Sequence, residues 1–475
     1  MKIRNKAVSA SIWSVLERVS TQLVSFGIGI VLARLLTPRD YGVIGLTMIF
    51  LNLSNIFIDS GFGNGLIRKI DRSEKDLSTA FYFNLAVGVF CYVVLWFSAP
   101  LIASFFDEDS FVAVMRIVGA NVLLGSLCIV PNAILTAKLK MKLISILNLC
   151  SQIPAGIIAI YLAYTGFGVY ALALQIVFAS FIKMILLFFF GKWFPKEGVS
   201  KESFRYLWNF GSKLLGANLI GTFFMEIYSV LIGKFIGKEQ LGFYSKASHL
   251  NANVNSVSTG AVQKVALPIL ARYQGEPLVL KEKFKKMMSM VSCLWAPVTA
   301  FLCFGSYDIV KFLWTEKWIE SAFLFQFLVI GAFFNPIGNV SLSLMQVVGK
   351  TGLILKLEFP KKIVYLLIIL VSFGYGVKGL VIGQVFINLI GTLINVWATK
   401  RIISYGYLSQ VIDLFKYVVL AFPIAFFVEK VCCFSSSFLN IATLFVLSFL
   451  GYFLILFLLK ERNACYLLGK LFKRV

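Results

Sequence analysis

Residues Leu241 to Lys264 read LGFYSKASHLNANVNSVSTGAVQK. The stretch is as long as a membrane span and sits among strongly apolar segments. Yet it carries Lys246, the chain's only histidine (His249), Asn251, Asn253, Asn255, Ser256, Ser258, Thr259 and Gln263. Unsatisfied polar groups in hydrocarbon cost several kcal/mol each. A helix at membrane depth with polar groups on nearly every face must therefore turn them toward other protein or toward water. The stretch is expected to line a hydrophilic passage whose walls are the other spans.

Composition supports that reading. The 475 residues are 59% hydrophobic, 15% aromatic and only 14% charged, with a mean hydropathy of +0.86. These values describe an all-α polytopic membrane protein rather than several soluble domains. The net charge of +23 does not point to nucleic acid, because the cations are dispersed between apolar runs rather than gathered in a basic stripe on a soluble domain. Glu17 and Arg18 fall where a cleavable signal peptide would need an apolar core, so the first span is expected to be retained. The eight cysteines lie mostly inside spans without metal spacing and read as packing residues; adjacent Cys432 and Cys433 are the one pair with a redox reading.

Apolar runs of about 20 residues predict fourteen helices, starting near Ile12, Tyr41, Thr79, Phe111, Leu143, Phe167, Tyr206, Leu241, Phe284, Trp318, Leu357, Gly376, Leu414 and Phe438. An even count places both termini on one side. Loops on that side hold about thirty Lys and Arg against about eight opposite, which by the positive-inside rule makes both termini cytoplasmic. The other face has only short connections, such as FDEDS (Phe106 to Ser110) and TGFG (Thr165 to Gly168).

The chain also repeats. LARLLTPRDYG (Leu32 to Gly42) aligns with IGKFIGKEQLG (Ile232 to Gly242), Val118-Gly119-Ala120 with Ile330-Gly331-Ala332, and GFGVYAL (Gly166 to Leu172) with GYGVKGL (Gly374 to Leu380). The matches keep their order, as expected of two homologous six-helix lobes inserted the same way up. The expected organisation is a first lobe over 1–191, a charged cytoplasmic linker over 192–205 broken by Pro195 and Gly198, a second lobe over 206–403, and two appended helices with a tail over 404–475.

The polar stretch has a counterpart in the second span, where Asn52, Asn55 and Asp59 share one helical face. Arg18, with Glu17 beside it, lies in the adjacent first span and can meet Asp59. One reading is a structural ion pair at the cytoplasmic interface; the other is a gate or a binding site for an anionic headgroup. The cations recur at several depths, with Arg18 low in the first span, Arg116 in the outer half of the fourth, and Lys246 and His249 in the outer half of the eighth. Arg116 has a second reading in contact with outer headgroups. Glu226, about halfway along span seven, must be paired, protonated or coupled to a cation gradient. For His249 the plain alternative is a hydrogen-bonded histidine that does not titrate in function. No catalytic constellation, nucleotide loop or metal spacing is present, so neither an enzyme nor a cofactor is expected.

The run LARLLTPRDYGVIGL followed by GFGNGLIRK, with its second copy LIGKFIGKEQLGFYSKASHL followed by ALPILARYQ, resembles the polysaccharide transporter (Wzx-type) flippases of the multidrug/oligosaccharidyl-lipid/polysaccharide exporter superfamily. The resemblance covers nearly the whole chain. It implies a monomeric bacterial inner-membrane protein with two lobes around a cavity, moving an undecaprenyl-pyrophosphate-linked oligosaccharide between leaflets by alternating access. Polysaccharide polymerase and glycosyltransferases are the partners it implies. Cationic cavity residues, as the family carries, would correspond to Arg18 and Lys246. Where relatives often have an Asn/Asp pair, this chain has Glu226 and Tyr228, so Na+ or H+ coupling through Glu17, Asp59 or Glu226 stands open. A multidrug or metabolite cation exporter of the same superfamily is the nearest alternative, followed by a membrane enzyme of glycan assembly and a scaffold.

Overall fold

A computed structural model of the chain describes residues 2–461 apart from Ser60, Ile70, Cys432 and Cys433, together with Asn463. The side chains of residues 2–12 and 14–18 and those of Lys213, Ala217, Ala261 and Thr351 are also outside the description. The candidates Glu17 and Arg18, the Cys432–Cys433 pair and the basic tail therefore lie outside the described residues. All regular elements among the described residues are helical.

By its internal contacts the chain divides into Met1–Ser245 and Lys246–Val475. The first unit holds α1 (Lys2–Leu35), α2 (Pro38–Asp59), the short α3 (Phe62–Arg68), α4 (Glu74–Phe106), α5 (Ser110–Ala137), α6 (Met141–Tyr164), α7 (Val169–Gly191) and α8 (Lys201–Leu231). A π-helical turn, Ile232–Ile236, then leads into α9 (Lys238–Ala271), within which the boundary falls. The second unit continues with α10 (Pro277–Phe304), α11 (Ser306–Trp314), a 3-10 turn (Glu316–Trp318), α12 (Glu320–Ala332), α13 (Phe334–Val347), α14 (Thr351–Phe373), α15 (Gly376–Ile403), α16 (Tyr407–Val431) and α17 (Ser437–Leu458).

The sequence repeat reappears as a repeat of packing. In the first unit α7 packs on α5 and α6; in the second, α15 packs on α12, α13 and α14. The helix that opens the second copy, α8, packs against α2, α3 and α4. The unit boundary consequently falls well after the Gly191 to Arg205 stretch.

Among the described residues, eleven of the fourteen expected helices are long and apolar enough to cross a membrane by length and composition. The three others, α1, α9 and α14, are helices too; the described side chains of α1 from Val19 to Leu35 form an apolar stretch, and its earlier side chains, Trp13 apart, lie outside the description. α9 is the polar stretch, and α14 carries Lys356, Glu358, Lys361 and Lys362. Burial of Lys361, at 3% exposure, is matched by its 2.8 Å ion pair with Glu358 one turn earlier.

Residues 192–200 are not helical, as Pro195 and Gly198 require, but the segment is pinned rather than loose. Trp193 is buried edge-on to Phe81 and donates its indole N–H to Glu74 at 3.0 Å. The backbone N–H groups of Glu197 and Ser200 donate to the hydroxyls of Ser78 and Thr79 at 3.3 and 2.9 Å. The first turns of α4 thus satisfy the linker's backbone, which buried segments require.

A polar network fastens the chain's end to the second unit. Tyr417 and Lys416 donate to Glu461 at 2.8 and 3.0 Å, and Asn463 donates to Ser289 and Tyr417 at 2.7 and 2.9 Å. With Ser289 donating to Tyr417 at 2.8 Å, one proton assignment satisfies all these groups. Burial alone would raise the Glu461 carboxyl, but the hydrogen bonds from Tyr417 and Lys416 outweigh it and hold it below the usual glutamate value. A depressed carboxylate stabilises above its unfolded pKa, and that contribution is lost as pH falls through the folded value. The thermal midpoint of the purified protein should therefore fall on acidification below the usual glutamate range, and Glu461→Gln should flatten that part of the profile; an unchanged profile would refute the anchor.

Candidate functional site

The polar face of α2 is where its spacing places it, and its three members find different partners. Asn52 donates its amide to Glu226 Oε1 at 2.8 Å, joining α2 to α8. Asn55 is exposed, and Asp59 instead accepts from the backbone N–H of Gly63. Glu226 lies in the last two turns of α8 rather than at its middle, because the helix begins at Lys201 and ends at Leu231. Among the described residues it is the one ionisable group lining a cavity of about 450 Å³, whose other walls include Phe50, Leu53, Ile102, Phe105 and Phe223. A carboxylate there has hydrocarbon around it and an amide in front of it. Asp59 and Glu226 are two separate acids, not a shared site.

Arg116 on α5 stacks its guanidinium over the Trp96 ring on α4, 4.7 Å from the centroid. Its buried Nε has no hydrogen-bond partner. Tyr92 donates to the Arg116 backbone carbonyl at 3.5 Å, which fixes the backbone below the side chain.

In the second unit Lys246 is 9% exposed, with its ammonium 5.2 Å from the Trp314 ring and 5.7 Å from that of Trp318. Both indoles are themselves buried, and their rings stand 6.1 Å apart. A desolvated cation over an aromatic face gains about 2 kcal/mol, so this pair offsets part of the cost of burying the charge. His249, one turn along, is exposed. Ser256 donates to the carbonyl of Asn253, and Ser258 and Thr259 donate to that of Asn255. These three hydroxyls are thus spent on the helix's own backbone. The amide oxygens of Asn251 and Asn255, one turn apart, are buried without a hydrogen-bond partner. They are the groups of α9 that a bound hydroxyl or water would satisfy.

Sequence reasoning missed the cluster at the α4–α5 turn. Arg39 pairs with Glu108 at 2.9 Å and Lys234 with Asp107 at 3.0 Å, while Lys238 donates to the Asp107 carbonyl at 2.8 Å. Burial would raise the Glu108 carboxyl, but hydrogen bonds from Ser110 and Arg39 more than offset it and hold it below the usual value. It also missed Trp314 and Trp318 as the surroundings of Lys246. The visible signal was the placement of one cation in each of two equivalent segments, Arg39 in TPRD and Lys238 in GKEQ, at the starts of equivalent helices.

Known proteins share this architecture. The family model described as polysaccharide biosynthesis protein matches residues 31–323. The teichuronic acid biosynthesis protein TuaB of Bacillus subtilis is 25% identical over 348 residues, 72% of each chain. The lipopolysaccharide biosynthesis protein WzxC of Escherichia coli is 19% identical, covering 89% of this chain and 87% of its own. Among solved structures, the lipid II flippase MurJ in an inward closed conformation superposes with a TM-score of 0.73 at 12% identity, over 93% of this chain and 98% of its own. That likeness is one of fold.

Proposed function

Because the chain belongs to the polysaccharide biosynthesis protein family, we propose that it is a multi-pass flippase that moves a lipid-linked oligosaccharide across the bacterial inner membrane by alternating access. The cargo in this reading is an undecaprenyl-pyrophosphate-linked repeat unit of O-antigen, capsule or exopolysaccharide. The relatives' names support it, since TuaB and WzxC are called biosynthesis proteins of two different surface glycans and MurJ a flippase of lipid II. The observation that carries it is α9, a helix of membrane length that keeps Lys246, His249 and three asparagines within a chain of apolar spans.

A pyrophosphate removed from bulk water needs counter-charge. Arg18, Arg116, Lys246 and His249 supply it in this reading, at successive depths. Sugar hydroxyls need many weak donors and acceptors, which Asn52, Asn55, Asn251, Asn253 and Asn255 offer. The isoprenoid stays in lipid against α16 and α17, where Val419, Phe427, Leu450 and Leu454 are exposed. Both termini face the cytoplasm, and the chain works as a monomer beside the polymerase and glycosyltransferases of its pathway. No cofactor takes part. Energy enters as H+ or Na+ at Glu226, with Asp59 and Glu17 as gate residues.

A strain deleted for the gene should lose its surface glycan and accumulate the lipid-linked unit on the cytoplasmic side, and the wild-type gene should restore export. Normal export in the deletion strain would refute the reading. In the same strain Glu226→Gln removes the titratable group while leaving an amide able to meet Asn52. Export should fall with protein level unchanged, and full export would remove Glu226 from the coupling role.

A further inference from the structure

The two equivalent glycines of the sequence repeat meet backbone to backbone. A Cβ on Gly42 would lie 1.9 Å from the carbonyl oxygen of Lys238, and one on Gly242 would lie 1.8 Å from that of Pro38. Pro38 and Lys238 are themselves repeat equivalents, so the starts of α2 and α9 exchange the same contact in both directions. One turn further, a Cβ on Gly45 would stand 2.7 Å from Ser245 Oγ, again between equivalent positions. Real Cβ atoms essentially never come closer than 3.0 Å to such neighbours. Only glycine permits this approach, and the approach leaves no space between the two helix starts.

Charged contacts to one turn lie beside this close approach. The α4–α5 turn holds the start of α2 through Arg39 on Glu108 and the α8–α9 junction through Lys234 and Lys238 on Asp107. Lys234 also lies 5.0 Å from the Phe105 ring. The junction itself is built to bend: a π-helical turn over Ile232–Ile236 runs into Gly237 at φ 136°, a conformation open essentially to glycine alone. The Lys234–Asp107 ion pair is partly exposed, with the Asp107 side chain 73% accessible, while Lys238 holds the Asp107 main-chain carbonyl. An exposed pair of this kind is weak, which suits a latch that must open rather than a permanent weld.

We infer that the Gly42–Gly242 contact, latched by Asp107 on Lys234 and Lys238, is the closed outer gate of the transport cycle. It rests on the flippase reading and adds which residues seal the side opposite the cytoplasm. Release of cargo outward requires α2 and α9 to part there, and the latch lysines to leave Asp107.

The test uses the full chain with its eight cysteines replaced by Ala or Ser. Gly45→Cys with Ser245→Cys places two thiols within disulfide reach. Oxidation in native membranes should cross-link them, stop glycan export, and have its effect reversed by reductant. Separately, Ser245→Cys alone should react poorly with a membrane-impermeant maleimide added from outside. Gly242→Val in that background should raise labelling about tenfold, the size of a shift toward the open state, and Asp107→Ala should raise it less. A cross-linked protein that exports as well as the reduced one, or labelling equal in all three variants, overturns the gate. Labelling needs no knowledge of the cargo, so normal export in the deletion strain would sink the flippase reading while leaving the gate measurement standing.

Discussion

Lys246→Met is expected to fold, reach the membrane and lose glycan export by at least about tenfold, the effect of removing one desolvated counter-charge worth about 1.5–3 kcal/mol. The side chain is buried between Trp314 and Trp318. Methionine keeps the unbranched stem against both rings and removes the charge. Replacing a buried charge by an apolar group of similar volume is often neutral or stabilising, because the desolvation cost disappears with the charge. Stability and export should therefore move apart: the thermal midpoint holds or rises while surface glycan falls. Trp314→Ala does the opposite first, removing a buried indole at a cost of about 3–5 kcal/mol. If Lys246→Met exports normally, the lysine is a packing residue of the Trp314–Trp318 pair, and the counter-charge assignment fails at that position.

The separation between what the sequence made legible and what it did not follows the distance over which each signal acts. Apolar runs act along the chain, so helix order and the exceptional polarity of α9 could be read in advance. The count of fourteen spans is not confirmed: eleven stretches among the described residues are apolar enough. The helices α9 and α14 are of spanning length and set apart by their polar content, and most of the first half of α1 lies outside the described side chains. For α14 the reason is local, since Glu358 and Lys361 neutralise each other across one turn. Helix ends were less legible: Glu226 was expected near the middle of its span and lies near the end of α8, because the charged first turns from Lys201 belong to the helix. What acts through space was invisible. Nothing in the spacing of Lys246 announces two tryptophans some seventy residues on, and nothing in Gly42 and Gly242 separately announces that they touch. The amide of Asn52 finding Glu226 is of the same kind: both residues stood out singly, and only folding makes them a pair.

The linker carries the second large expected effect. Pro195 and Gly198 break the helix there, and Trp193, Glu197 and Ser200 are tied to the first turns of α4. Proline and glycine stop the helix without making the segment loose. Trp193→Ala is expected to destabilise the protein by about 3–5 kcal/mol, the usual cost of emptying a buried aromatic site. The N–H donated to Glu74 is a smaller part of that. Trp193→Phe should keep most of the contact with Phe81 and cost only about 1 kcal/mol, the net worth of one hydrogen bond. Thermal unfolding in detergent measures both, and limited proteolysis of inside-out vesicles should cut residues 192–200 of the Ala variant several times faster than the parent. A Trp193→Ala protein that melts with the wild type, and is cut no faster, would mean that the segment is free to hinge. The bending element would then be sought there rather than at the π-helical turn before Gly237.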